Sequence, residues 1–348
     1  MKTLILKCVT GIILLLIGVT AFSQIPNGYY DSAEGLEGEP LRNALHNIID
    51  GHNSISYDDL WDAYEDTDKR SDGKVWDTYS NCNFTFFSDQ CGNYQNICDC
   101  YNREHTVPQS WFGSSSPMVS DLFHVLPTDG KVNGYRSSFP YGECSSGTTY
   151  GTGKKGSCTY PGYSGTVFEP ADEYKGDVAR IYFYMATRYM DVMSSWDGDY
   201  QYSFSGDNFT TWTRNMLLEW HHEDPVSDKE IDRNNAVQDY QNNRNPFIDN
   251  PTWADAIWDP NYNPSFIELT DAFISVYPNP AKDIINIEIN ISSEMHNLTI
   301  KDVTGRSVLD LEFNEHVRLD ISSFKPGIYF LMFKDNSEKT YIKKINKL

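Results

Sequence analysis

Positive charge is what this sequence has least of. Its 348 residues carry 28 lysines and arginines against 49 aspartates and glutamates, a formal net charge of −21. The shortage is concentrated: residues 24–270 hold 16 basic and 38 acidic side chains, a net −22, whereas residues 271–348 are nearly balanced at 10 and 11. A broad basic surface, the usual means of binding nucleic acid through its phosphates, is thereby excluded. Any polyanionic substrate must be held by a local positive field with help from a metal ion. Long apolar runs are also scarce. After Met1-Lys2 and Lys7, the stretch Gly11 to Val19 is apolar and Ala21-Phe22-Ser23 follows. That run is shorter than the ~20 residues of a membrane span. With its basic start and small residues before position 24, it has the layout of a signal peptide over 1–23, the alternative being a membrane anchor. Nothing later in the chain is long and apolar enough to span, so the mature protein is expected to be exported and soluble. Zinc-ribbon spacing is absent as well, since Cys98-x-Cys100 is the one close cysteine pair.

What is present describes a folded protein. Hydrophobic residues make up 39% and aromatic residues 14% of the chain, enough to build packed cores and to rule out wholesale disorder. The length fits two folded units. In an oxidising compartment the six cysteines beyond the signal, Cys82, Cys91, Cys98, Cys100, Cys144 and Cys158, read as disulfide partners, with 15 ways of forming three bridges. They are expected to staple the loops around Arg103 to Asn133.

Leu41, Leu45 and Ile48-Ile49 recur at helical spacing, and Tyr57 to Trp61 suggests a second helix. Val75 to Tyr79 and Phe84 to Phe86 read as short strands. Ser145 to Ser157, rich in Gly, Ser and Lys, reads as an exposed, mobile insertion. From Asp177 the pattern turns helical, with Val178, Ile181, Met185 and Tyr189 on one face, and a further helix fits Trp212 to His221. The catalytic unit, 24–265, is therefore expected to be α+β, with helices flanking a small irregular sheet. Beyond a linker at 266–273 the character changes. Ile285 to Ile289, Leu298 to Ile300, Val317 to Leu319 and Ile328 to Phe333 alternate with a period of two, between turns at Thr304-Gly305 and Pro326-Gly327. This predicts a small antiparallel β-sandwich over 274–348.

The second unit resembles the C-terminal sorting domain of the type IX secretion system. The resemblance rests on Val276-Tyr277-Pro278-Asn279-Pro280, Asp302-Val303-Thr304-Gly305-Arg306, Pro326-Gly327-Ile328-Tyr329 and the Lys-rich ending Lys343 to Leu348. It implies passage through the periplasm, recognition by the type IX machinery, and release or display at the outer cell surface. A carbohydrate-binding or adhesive sandwich is the alternative.

Chemistry concentrates in two segments. Arg103-Glu104-His105 lies in Asn102 to Phe112, a Pro-bounded stretch. Histidine accepts protons near neutral pH, and glutamate is the hard oxygen ligand that Mg²⁺ or Ca²⁺ prefers. On its own such a triplet is better explained as a surface ion-pair cluster. The second segment, Asp121 to Pro140, contains Asp129-Gly130-Lys131-Val132-Asn133. A helix opening near Thr128 would turn Asn133 toward the first segment, and an amide oxygen beside a carboxylate leaves room for water and phosphate on a metal. Arg136, one turn on, could brace the phosphate with its guanidinium fork.

Together these segments resemble the bacterial endonuclease I family, whose core is the ββα-metal finger shared by His-metal nucleases. Phe168-Glu169-Pro170, Lys175 to Met185, Arg233-Asn234-Asn235 and Asn243 to Asp249 extend the resemblance over roughly 40–258. It implies that His105 is the general base, that Glu104 and Asn133 hold Mg²⁺ (or Mn²⁺ or Ca²⁺), and that Arg136 or Arg180 acts on the phosphate. Arg103 and Asn245 are the expected substrate contacts. The sequence departs from the family where Asp121-Leu122 is followed by Phe123 rather than histidine, with His124 next. His124 is expected to pack or to hydrogen-bond behind the site, and His221-His222 to form a solvated helix end. Asp177 and Arg180, three apart, fit an ion pair as well as catalysis. The expected activity is hydrolysis of DNA or RNA to 5′-phosphate and 3′-hydroxyl ends, by a monomer with weak sequence preference. The competing readings are a surface-displayed binding protein on an inactive nuclease scaffold and a zinc hydrolase using His105, His124 and His221.

Overall fold

The computed structural model describes residues 25–262, 274–289, 296–314, 316–334 and 340–348. The expected signal peptide and linker lie outside these residues. In the first unit the elements are α1 (Gly38–Ile49), α2 (Leu60–Thr67), β1 (Tyr101–His105), β2 (Val125–Asp129), α3 (Gly130–Arg136), β3 (Gly147–Tyr150), β4 (Gly153–Ser157), β5 (Thr166–Glu169) and α4 (Lys175–Arg188). There follow the short hairpin β6 (Phe204–Ser205) and β7 (Asn208–Phe209), then α5 (Thr211–Glu223), α6 (Asp228–Gln241), α7 (Pro246–Asp249) and α8 (Thr252–Trp258). The unit is α+β, as expected.

Leu41, Leu45 and Ile49 of α1 are fully buried at i, i+4 spacing, so that one stripe of the helix enters the core. By contrast α4 is buried along its whole length and on every side, including Lys175, Arg180 and Arg188. The expected one-sided helix is a central one, and its charged groups must find partners inside the protein. The start of α6 is fixed by a capping box between Ser227 and Glu230, and its end by Asn242 at a left-handed φ of 59°.

Two regions differ from their sequence patterns. Val75 to Tyr79 and Phe84 to Phe86 are irregular rather than strands. Their one backbone link is Val75 N–H to the Phe84 carbonyl at 3.0 Å, and the Asp77 carboxylate takes the N–H groups of Tyr79 (2.8 Å) and Asp129 (3.0 Å) instead. Side-chain acceptors of this kind replace a strand ladder. The segment 145–157 is an ordered hairpin, β3 against β4, extended by β5 into a three-stranded antiparallel sheet. Its turn is seated against Tyr79: Thr152 N–H donates to the Tyr79 carbonyl at 2.9 Å. Gly151, at φ +59°, lies so close to that carbonyl that a Cβ would sit 2.0 Å from it.

Two disulfides form, Cys82–Cys98 and Cys91–Cys100, while Cys144 and Cys158 are buried thiols. There are thus two bridges where three were expected. Both close the loop before β1 and attach it to the start of α3. Cys98 N–H donates to Asp129 Oδ2 at 2.6 Å, and the Cys100 carbonyl accepts from Gly130 N–H at 3.0 Å.

The second unit contains β8 (Ile274–Tyr277), β9 (Ile284–Ile289), β10 (His296–Asp302), β11 (Ser307–Phe313), β12 (His316–Asp320), β13 (Gly327–Lys334) and β14 (Thr340–Lys347). They form two antiparallel sheets, ordered β11-β10-β13-β14 and β12-β9-β8. Ile285, Ile287 and Ile289 alternate inward from one sheet, and Leu298, Ile300, Leu331 and Phe333 from the other, to share one apolar core. Among the described residues no helix is long and apolar enough to cross a membrane.

Candidate active site

The two expected segments come together because β1 pairs antiparallel with β2, placing Glu104 opposite Leu126 and His105 opposite Val125. Helix α3 follows without a loop. Asp129 ends β2 and caps the helix, its Oδ1 accepting from Lys131 N–H at 2.8 Å and Val132 N–H at 2.9 Å. The helix opens at Gly130, close to the expected Thr128.

Side chains on a strand alternate between faces, and β1 uses both. Asn102 and Glu104 face α3. Asn133 Nδ2 donates to Asn102 Oδ1 at 2.9 Å, and among the described residues no donor reaches the Asn133 amide oxygen. Glu104, 2% exposed, places Oε1 3.0 Å from Arg136 Nη1 and accepts on the same oxygen from the Tyr79 hydroxyl at 2.8 Å. Tyr79 is in turn hydrogen-bonded to the Tyr141 hydroxyl. Burial lifts the Glu104 carboxyl above its ordinary range, and the Arg136 charge works against that rise. The donors left over, Glu104 Oε2 and the Asn133 amide oxygen, suit a hard divalent cation in kind: both are oxygens and one is anionic.

Tyr101, Arg103 and His105 point the other way, toward α2. The Arg103 guanidinium lies 3.5 Å from the Tyr57 ring centroid and 4.5 Å from that of Trp61. Its Nη1 donates to the Tyr57 carbonyl at 2.6 Å and reaches Asp58 at 3.3 Å. The His105 ring stacks on Tyr57 with centroids 5.8 Å apart and also packs against Phe112 and His124. Its Nε2 lies 3.0 Å from the Val119 carbonyl. A carbonyl can only accept, so Nε2 carries the proton and Nδ1 keeps its lone pair. Burial lowers the imidazole to about 3, with His124, Arg136 and Arg103 adding to the effect and the Val119 carbonyl opposing it. His105 is neutral at pH 7.

Several expected residues lie elsewhere. Arg136 is 1% exposed and faces inward: Nη1 donates to the His105 carbonyl at 2.9 Å and Nη2 to that of Thr106 at 2.5 Å, in addition to the Glu104 pair. It braces the end of β1 rather than a phosphate. Arg180 is fully buried, with Nη2 on Glu230 and Nη1 on the Asp224 carbonyl, both at 2.8 Å; Asp177 is 3.6 Å away. Asn245, also fully buried, caps α7 through Phe247 N–H at 3.0 Å and donates to the Arg180 carbonyl at 3.1 Å. The Arg180 guanidinium and the Asn245 amide are thus engaged by partners outside β1. His124 is buried with Nε2 2.6 Å from the Met118 carbonyl, as expected of a group behind the site. His221 is buried beside Arg180 rather than solvated, whereas His222 is exposed and meets Asp255 at 2.8 Å. The three histidines of the zinc reading form no ligand cluster: among the described residues the one group of potential ligands is Cys82, Cys98 and Asp129, and its sulfurs are a disulfide.

The residues that sequence reasoning passed over are Tyr79 and Tyr141 behind Glu104, and Tyr57 and Trp61 beneath Arg103. Tyr57 and Trp61 were visible only as part of a helical pattern. Nothing in the local sequence ties Tyr79 to a carboxylate 25 positions later.

The ββα unit thus carries a buried, neutral imidazole on one face of β1 and a carboxylate with an amide oxygen on the other. Sequence similarity narrows the class. Residues 37–252 match the Endonuclease I family and residues 275–347 the secretion system C-terminal sorting domain. An extracellular ribonuclease of Bacillus subtilis (strain 168) is 38% identical over 262 residues, spanning 72% of this chain and 84% of the relative. An extracellular ribonuclease of Bacillus amyloliquefaciens is 36% identical over 241 residues, 66% and 78% of the two chains. Endonuclease-1 of Buchnera aphidicola subsp. Baizongia pistaciae is 28% identical over 164 residues, 42% and 60%. The chain belongs to the endonuclease I family. It is a secreted or surface-displayed nuclease carrying a type IX sorting tail.

Proposed function

We propose that the protein is a metal-dependent endonuclease of low sequence preference that hydrolyses RNA or DNA to 5′-phosphate and 3′-hydroxyl ends, with His105 as the general base. The observation that carries this reading is the hydrogen bond from His105 Nε2 to the Val119 carbonyl. It fixes the ring and its tautomer, so that Nδ1 can take a proton from a water in line with the scissile P–O bond. Glu104 Oε2 and the Asn133 amide oxygen would hold the metal. When bound, Mg²⁺, with Mn²⁺ or Ca²⁺ as alternatives, supplies the positive charge that offsets charge building on the phosphate and the departing oxygen.

Arg136 and Tyr79 fix the Glu104 carboxylate from behind, leaving one oxygen for the cation. Arg103, with its guanidinium packed against two aromatic rings and one nitrogen committed, has its Nε and Nη2 left for a substrate phosphate. The relatives named as ribonucleases support RNA among the substrates. Incubating the mature protein with RNA and with plasmid DNA, with Mg²⁺ or with a chelator, tests the reading: cleavage of either polymer that vanishes on chelation supports it, and cleavage of neither, or equal cleavage in chelator, overturns it.

A further inference from the structure

An acidic nuclease must still attract a polyanion, and most of its cations are already spent. Of the 16 lysines and arginines in residues 24–270, 11 meet a carboxylate within 4.0 Å, from Arg42 on Asp207 to Arg244 on Asp249. Lys131 and Lys155 are among the five for which no such pair occurs among the described residues, and these two converge on one place. Lys131 Nζ is 5.1 Å from the Tyr135 ring centroid. Lys155, reaching across from β4, donates to the Tyr135 carbonyl at 2.9 Å and lies 5.5 Å from the Tyr150 ring. Tyr135 and Tyr150 stack on each other with centroids 4.0 Å apart and planes 23° apart. All four side chains are partly exposed. Asp99, from the cystine loop, is near enough for Lys131 to lower its carboxyl slightly, after the larger effect of its own backbone hydrogen bonds, but the two form no ion pair.

We infer that this patch, made by α3 and the β3–β4 hairpin, is a binding subsite for a single-stranded segment of nucleic acid, with the two lysines on phosphates and the part-exposed tyrosine rings against unpaired bases. The inference rests on the reading that the substrate is a nucleic acid. Phosphate-seeking cations interleaved with aromatic rings are the chemistry by which single strands are held without sequence preference, because every base has a face to stack. Duplex bases are stacked on one another and offer no such face. The patch is rigid: the hairpin is seated on Tyr79, and Lys131 and Tyr135 sit at i and i+4 of the helix that carries Asn133. On that helix Asn133 turns toward β1 and the patch turns away. A strand running from one to the other crosses a helix diameter of about 10–12 Å. The subsite therefore addresses nucleotides flanking the cleaved bond rather than the bond itself.

The test is fluorescence anisotropy of the mature protein with a labelled 12-nucleotide RNA, the matching DNA and the corresponding duplex, all in EDTA so that nothing is cut. Expected for Lys131→Gln/Lys155→Gln is a roughly tenfold loss of affinity for the single strands and a log–log salt slope shallower by about 1.4, the value for two released counterions. Tyr150→Ala should lose about tenfold with an unchanged slope, and the duplex should be bound more weakly and be insensitive to all three changes. Wild-type affinity and slope in the lysine variant, or equal losses on duplex, overturn the subsite. Lys131→Gln alone, which keeps the backbone hydrogen bond to Asp129, keeps the test valid should the double variant not fold, with an expected slope change of about 0.7. Cleavage by the wild-type protein in Mg²⁺, run alongside, reports on the nuclease reading separately: a protein that cuts but whose variants bind normally has lost the patch and not the activity.

Discussion

The Tyr79 hydroxyl donates to Glu104 Oε1 at 2.8 Å, the same oxygen that meets Arg136 Nη1 at 3.0 Å. One side of the carboxylate is thus saturated by two buried donors while the other is left for a ligand. A hydrogen bond to a charged group contributes about 1.5–3 kcal/mol, so Tyr79→Phe should cost roughly that amount in urea unfolding. It should also weaken divalent-metal binding, read by calorimetry, because Glu104 is then held by Arg136 alone. Unchanged metal affinity would show that Tyr79 does not position the ligand.

Arg136 offers a sharper distinction. Were it a phosphate clamp, its removal would raise KM and leave the fold intact. As the partner of a buried carboxylate and of two carbonyls at the end of β1, its loss strands a charge, at a cost of about 3–5 kcal/mol. Arg136→Ala should therefore lower the melting temperature by many degrees before any kinetic effect is read, and a well-folded variant with raised KM would restore the clamp.

How such residues were read shows where the sequence speaks. Glu104, His105 and Asn133 were legible because their chemistry lies within two short segments, and the strand-to-helix step that joins them is marked by Asp129-Gly130. The inward setting of Arg136 and Arg180 was not legible because a guanidinium in a sequence does not disclose whether a carboxylate waits for it inside. For Arg180 that carboxylate is Glu230, 50 residues away. Asn245 did carry a signal, since Asn before Pro246 is a helix start, and the structure uses it as one. The segment 145–157 looked mobile from its Gly and Lys content. Its order comes from β5 and from Tyr79, neither of which is local.

Asp77 makes stability depend on pH. Burial pushes its carboxyl up to about 7 from 3.8 in spite of three hydrogen bonds that favour the ionised form. The folded state therefore holds this proton more tightly than the unfolded chain. The stabilisation is complete below about pH 4 and is lost as pH rises through 7, by an amount on the order of 4 kcal/mol. Asp77→Asn keeps an oxygen for the Tyr79 and Asp129 N–H groups and cannot ionise. Its unfolding free energy, measured in denaturant from pH 4 to 8, should fall less steeply than that of the wild type; parallel curves would refute the assignment.

In the proposed reaction His105 Nδ1, left free because Nε2 donates to the Val119 carbonyl, takes the proton from the attacking water. The direct measurement is the initial rate of RNA and plasmid cleavage in Mg²⁺ by the wild type and by His105→Ala, with circular dichroism to confirm the fold of both. General-base catalysis contributes about 10²–10⁴-fold, so the variant should retain its fold and lose at least about a hundredfold in rate on both polymers. A folded His105→Ala protein that cuts at the wild-type rate would contradict the account.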